Sequence, residues 1–187
     1  MILGLNVPEI VGRVGAVTLE HAEPQVGSLS IRVLVVEDNE PWRRFISTAL
    51  QEQPELEISG RASDGLEAVQ QAKELQPDLI LLDIGLPTIN GIEAARRIRE
   101  ISPASKILFV SENRSRDVAE EALRTGASGY VVKSDAASEL LTAVRAVLDG
   151  KRFVSASLAG YFLAAMVANA RQTDLLMSMV ALISGIC

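Results

Sequence analysis

From Ile31 to Gly150 the chain alternates short apolar runs with helix-length amphipathic stretches, and this alternation constrains the fold more than any other feature. It is the pattern of successive βα units, in which a parallel sheet is covered by helices on both faces. The runs are IRVLVV (31–36), LEISGRAS (56–63), LILLD (79–83), KILFV (106–110) and GYVV (129–132). LILLD is the most apolar, as expected of a strand buried on both faces. A first helix is predicted from Pro41, a residue favoured in the first turn, with Trp42, Phe45, Ile46, Ala49 and Leu50 along it and Pro54 beyond its end. The second follows Asp64-Gly65, carries Leu66, Val69, Ala72 and Leu75, and is closed by Pro77. The third starts at Gly91 with Ile92, Ala95, Ile98 and Ile101 inward and Arg96, Arg97 and Arg99 toward water. The fourth covers Arg116 to Arg124 and stops before Gly126. The fifth covers Ala136 to Leu148, with Leu140, Leu141, Val144 and Val147 inward and Gly150 as terminator.

A length of 187 residues allows one well-packed domain with extensions. The formal net charge of -6 argues against a general nucleic-acid binder, whose affinity comes from Lys and Arg displacing counterions. Cys187 is the only cysteine, so an intrachain disulfide and a cysteine-based zinc site are both excluded, which fits a reducing cytoplasm. Residues 1–29, rich in Gly, Val and Pro, have neither the basic leader nor the small-residue cleavage pattern of a secretory signal and read as an irregular extension. Their His21 is assigned no function. Two apolar stretches, 158–170 and 175–187, are separated by Arg171, Gln172, Thr173 and Asp174, and each falls short of the ~20 residues of a membrane span. They are expected to be packed helices, with no membrane insertion.

Ligands of open parallel sheets bind beyond the carboxyl ends of the strands. There the first strand ends in Glu37 and Asp38, the third in Asp83, the fourth in Ser111 and the fifth in Lys133. Clustered carboxylates repel, and a hard cation such as Mg²⁺ relieves the repulsion while keeping coordination places for water and phosphate. A phosphoryl site follows: Asp83 is suited to attack as a nucleophile, Lys133 to balance charge, and Ser111 to donate to a phosphoryl oxygen. The simpler alternatives are a loop carboxylate at Asp83, a helix-capping pair at Glu37 and Asp38, a strand-ending serine at Ser111, a packing tyrosine at Tyr130 and a surface lysine at Lys133.

The ordered set, Glu37-Asp38, D-I-G-L-P-T-I-N-G (83–91), Ser111 and Lys133, resembles the receiver domain of two-component response regulators over about 31–150. Pro87 and Gly91 stand at the spacing that the family shows after its phosphorylated aspartate. The resemblance implies a flavodoxin-like (CheY-like), doubly wound, five-stranded parallel sheet of order 2-1-3-4-5 over residues 30–150, with an additional C-terminal helical tail. It implies that Asp83 accepts a phosphoryl group from a sensor histidine kinase with Mg²⁺ as cofactor. Asp38 and Asp83 would supply metal-binding side chains, Glu37 would act through the cation's water shell, and the Gly85 carbonyl would complete the protein ligands. Tyr130 stands where the family carries a rotating aromatic, so the switch would pair Ser111 with Tyr130 and change protein docking rather than turn over a substrate.

Two residues depart from the family pattern. Ser134 follows Lys133 where a proline is usual, often behind a cis bond; Lys-Ser is common in the NarL/FixJ-like subfamily. Glu112 follows Ser111 where a small residue is usual, and a carboxylate there is expected to slow phosphorylation or alter hydrolysis. KRFVSASLAGYFLA (151–164) is similar to the linker that precedes a LuxR-type helix-turn-helix, but residues 165–187 are too few for that module and offer only Arg171 as a basic contact, so DNA binding is not expected. Residues 151–187 read as linker and apolar tail, either a dimerisation helix burying its faces against a second copy or a divergent remnant of an output domain. Two other functions compete: a receiver-fold interaction scaffold that is never phosphorylated, and a hydrolytic phosphatase using Asp83. The latter lacks the second acid two residues on that haloacid-dehalogenase-like enzymes show, because Gly85 stands there.

Overall fold

A computed structural model describes residues 30–160; the N-terminal extension and the apolar tail lie outside the described residues. The five expected βα units are all present. They are β1 (Ile31–Val36) and α1 (Glu40–Gln51), β2 (Leu56–Ala62) and α2 (Gly65–Leu75), β3 (Leu79–Leu82) and α3 (Gly91–Ile101), β4 (Lys106–Ser111) and α4 (Arg116–Arg124), and β5 (Gly129–Val132) and α5 (Ala136–Leu148), with one turn of 3-10 helix at Lys133–Asp135. All strands pair in parallel. The order is 2-1-3-4-5, as the family resemblance implies, with a sixth strand beyond β5.

The period of two along each strand divides the core. Leu34 and Val36 of β1 join Ile80, Leu82, Phe109, Tyr130 and Val132 under α2, α3 and α4. Val33 and Val35 join Leu79, Leu81, Leu108, Val110 and Val131 under α1 and α5. Every residue of β3 is buried, which accounts for the unbroken apolar run of LILL. Three helices open on side-chain caps contributed by the preceding loop: Asn39 accepts from the Trp42 N–H, Asp64 from Leu66 and Glu67, and Asn90 from Glu93.

Several details differ from the sequence expectation. A two-residue strand, β6 (Phe153–Val154), extends the sheet where a linker is expected, and residues 156–160 turn into helix. Leu66 is 44% exposed; the inward stripe of α2 is Gly65, Ala68 and Ala72, small residues that let the helix sit close to the sheet. Along α5 Ala143, not Leu141, completes the buried face. Arg99 is half-buried rather than turned wholly to water. Its guanidinium donates to the carbonyls of Pro103, Ser105 and Gly126, at 3.0 Å each, tying the end of α3 to the start of β4 and to the turn before β5. Burial lowers its pKa from the usual arginine value. No peptide bond among the described residues is cis, the Lys133-Ser134 bond included. Among the described residues no helix is long and apolar enough to cross a membrane.

Candidate functional site

Where β1, β3, β4 and β5 end, their terminal residues surround a cleft of about 490 Å³ lined by Glu37, Asp38, Asp83, Gly85, Ser111 and Lys133, with Asn39, Ile84, Glu112 and Asn113 at its walls. All the residues singled out for chemistry in the sequence therefore meet in one place, except Tyr130, which lies beneath the cleft. Lys133 is 4% exposed. Its ammonium lies 2.8 Å from Glu37 Oε2 and donates to Glu37 Oε1 and Asp83 Oδ2 at 3.0 Å each. Trp42, on the first turn of α1, places its ring centroid 5.4 Å from the same nitrogen, within cation–π range.

The electrostatics follow from burial and charge. Burial alone would lower the pKa of Lys133, but the hydrogen bonds and negative charges of Glu37 and Asp83 outweigh it and hold the ammonium above the ordinary lysine value. Glu37 has no exposed surface, and burial pushes its carboxyl up. The Asp83 charge adds to that effect, while Lys133 and the Asn39 N–H pull the other way without cancelling it. Arg43 of α1 donates to the Glu37 carbonyl at 2.8 Å and so fixes the end of β1.

The loop after Asp83 is set by its own spacing. The Ile84 N–H donates to Asp83 Oδ1 at 2.7 Å, and the Gly91 N–H returns to the Ile84 carbonyl at 2.9 Å. A Cβ at Gly91 would stand 1.9 Å from the Asp83 carbonyl oxygen, so only glycine permits the loop to close on the strand that carries Asp83. Between them Thr88 adopts φ 66, uncommon for a β-branched residue, with its hydroxyl donating to the Asp64 carboxylate that caps α2.

Ser111, at the end of β4, accepts the Asn113 N–H on its hydroxyl oxygen at 3.2 Å. Tyr130 is wholly buried, packs its ring 6.3 Å from that of Phe109, and donates its hydroxyl to the Asn113 carbonyl at 2.8 Å. Burial pushes the phenol up from its ordinary value; the Ser111 hydroxyl pulls the other way without cancelling it, and the nearby Asp83 charge adds to the rise. Asn113 thus joins Ser111 to Tyr130. Sequence reasoning overlooked it, as it overlooked Asn39, Arg43 and Trp42. The N-cap position of Asn39 was a readable signal, whereas a backbone carbonyl used as an acceptor leaves no trace in residue type.

The donor set fits a hard divalent cation. One carboxylate oxygen from each of Glu37, Asp38 and Asp83 can be chosen so that all three lie within 4.8 Å of one another. Three carboxylates against one ammonium leave two negative charges uncompensated. Glu37 Oε2 is buried without a directed hydrogen bond, although it stands in ion-pair contact with the Lys133 ammonium. Oxygen-only donors with open solvent on one side are what Mg²⁺ takes.

This fold and this cluster of acids facing a lysine define the class, and the response regulator receiver domain family matches residues 33–145. The chain belongs to that family. It is 35% identical to the response regulator GacA of Pseudomonas viridiflava over 129 residues, 69% of this chain and 60% of that protein. It is 37% identical to the transcriptional regulatory protein LiaR of Bacillus subtilis (strain 168) over 131 residues, 70% of this chain and 62% of that protein. The chain thus matches somewhat less than two thirds of the length of these relatives. Among solved structures, a two-component response regulator of the LuxR family from Aurantimonas sp. SI85-9A1 superimposes with a TM-score of 0.70 at 33% identity, covering 74% of this chain and 99% of that one.

Proposed function

We propose that this receiver is a phosphorylation switch in which Asp83 takes a phosphoryl group from the phosphohistidine of a sensor kinase in a Mg²⁺-dependent reaction. The observation that supports this reading best is the buried Lys133 held between Glu37 and Asp83 in the lining of an otherwise acidic cleft. In the transfer an Asp83 carboxylate oxygen forms a bond to phosphorus as the phosphorus–nitrogen bond of the donor breaks, and the imidazole leaves with the electron pair of that bond and takes up a proton. Lys133 already touches Asp83 and is placed to follow charge onto a phosphoryl oxygen. The Ser111 hydroxyl, whose oxygen accepts the Asn113 N–H, donates its own proton to another. Asp38, Asp83 and the Gly85 carbonyl would hold the cation, with Glu37 acting through its water shell and through Lys133. When bound, Mg²⁺ neutralises the carboxylates and the incoming phosphoryl oxygens.

Output is a change in protein contacts, carried by Ser111, Asn113 and Tyr130 to the surface of α4, β5 and α5, and on to transcription where an output domain is attached. A kinase-fed receiver works in the cytoplasm. The second reading, an unphosphorylated scaffold, rests on Glu112, whose carboxylate lines the cleft and adds to its negative charge.

The test is intact mass after incubation with acetyl phosphate, with Mg²⁺ present or chelated. Wild type should gain one phosphoryl group only with Mg²⁺, and Asp83→Asn none. An unlabelled wild type, under conditions that label a control receiver, selects the scaffold.

A further inference from the structure

Residues 153–158 are seated in the receiver rather than beside it. Phe153 and Val154 pair with Gly129 and Tyr130 along the open edge of β5. That edge is shaped for them, since a Cβ on Gly129 would stand 2.9 Å from the Phe153 carbonyl oxygen and 2.8 Å from Leu108 Cδ1. Ser155 has no exposed surface; its N–H donates to the Tyr130 carbonyl and its hydroxyl oxygen accepts the Val132 N–H, both at 2.9 Å. One side chain thus satisfies a buried edge amide that would otherwise be orphaned. Beyond it, Glu139 accepts the Ala156 N–H at 3.1 Å and Asp135 accepts the Ser157 hydroxyl at 2.5 Å, so the turn into the next helix is held by carboxylates just past Lys133. Val154 and Leu158 pack in the same cluster as Tyr130, Ala119 and Ala122.

We propose that residues 153–158 form a strap that holds Tyr130 in its inward position, so that the seating of the C-terminal segment and the state of the Ser111–Asn113 loop depend on each other. A ring with no accessible surface turns outward only if its neighbours make way. In this cluster Val154 belongs to β6, a strand of two residues and the shortest of the described sheet, and Leu158 follows it at the start of the next helix. The chain of contact is continuous. The Tyr130 hydroxyl holds the Asn113 carbonyl, the Asn113 N–H holds Ser111, and the Tyr130 carbonyl holds Ser155. Coupling of this kind is reciprocal: whatever favours the inward ring tightens the strap, and a seated strap favours the inward ring. Response of the strap to a ligand at the cleft rests on the reading of Asp83 as the phosphorylated residue; its response to Tyr130 does not.

Hydrogen exchange on the full chain tests both halves. In Tyr130→Phe, which lacks the hydroxyl that engages Asn113, the amides of Ser155, Leu158 and Ala159 should exchange about tenfold faster than in wild type while β1, β3 and β4 keep their protection. Unchanged exchange of these amides in that variant overturns the strap. In wild type, Mg²⁺ with beryllofluoride should slow exchange at 83–88 and 111–113 and also at 155–159. Slowing confined to the two loops overturns the coupling to the cleft. If neither the loops nor the strap responds, the Asp83 reading fails, and the Tyr130→Phe comparison alone decides the strap.

Discussion

Glu37 is the residue at which the cost of the site is concentrated. Its carboxyl is buried with a raised pKa, so the charged form is less favourable in the folded chain than in the unfolded one. The sign of the linkage follows. The stability this group contributes is full below its ordinary 4.5 and is lost as the pH rises through the raised value. Glu37→Gln removes that loss but also removes an anionic partner of Lys133. Because the lysine pKa is raised as well, it stays charged across the acid-to-neutral range, and its attraction for the Glu37 carboxylate is already contained in the net upward shift, so losing it does not reverse the trend. The diagnostic is therefore the trend. Measured by urea unfolding with a chelator present, the midpoint of Glu37→Gln relative to wild type should climb between pH 4.5 and neutrality. A difference that stays flat or falls would show that Lys133 fully compensates the buried charge. The same residue shows why the sequence was only partly readable. An acidic pair beyond a strand end announces a site, but which acid is buried against the lysine and which faces solvent is set by the short turn from Val36 to the Asn39 cap of α1.

At the scale of elements, the β3–α3 loop is the part whose geometry the site can least spare. Gly91 lets it fold back on the Asp83 carbonyl, and a methyl there meets the Asp83–Ile84 backbone, which cannot yield like a flexible side chain. Gly91→Ala should therefore destabilise by about 2 kcal/mol or more and abolish labelling by acetyl phosphate. Gly85→Ala serves as the contrast, since its added methyl meets only Asp83 Oδ2, at 3.6 Å, and its stability should stay within about 0.5 kcal/mol of wild type. Equal losses of stability in the two variants would mean that backbone freedom, not the close approach, sets the requirement for glycine. The βα rhythm, the strand ends and the D-x-x-x-P-x-x-x-G loop were legible because each is written in hydrophobic period or in residues of special chemistry. β6 and Arg99 were not. A two-residue strand has no period to detect, and its seat is prepared elsewhere, by Gly129 and by an edge amide that needs the Ser155 hydroxyl. Arg99 sits at helical spacing among arginines that do face solvent, and only three carbonyls from two separate loops distinguish it.

For the whole molecule, the charge distribution makes stability a readout of site occupancy. The chain carries a net charge of -6, and its described core is largely complete around an acidic cleft that balances three carboxylates with one ammonium. A cation that binds only the folded arrangement stabilises it by mass action, about 1.4 kcal/mol at a free concentration ten times its dissociation constant. For a domain of this size that is a rise of a few degrees in melting temperature. Mg²⁺ should produce this rise at fixed ionic strength, a chelator should reverse it, and Asp38→Asn should reduce it most, because Asp38 is the solvent-facing acid of the three. Asp38→Asn should also raise the melting temperature without Mg²⁺, since it removes one of the repelling carboxylates without taking a hydrogen-bond partner from Lys133. Scanning calorimetry on wild type and variant at matched salt separates the two effects. A wild-type rise that sodium chloride reproduces at equal ionic strength would mean general screening of a negatively charged chain and would remove the thermodynamic support for a cation held by Asp38 and Asp83.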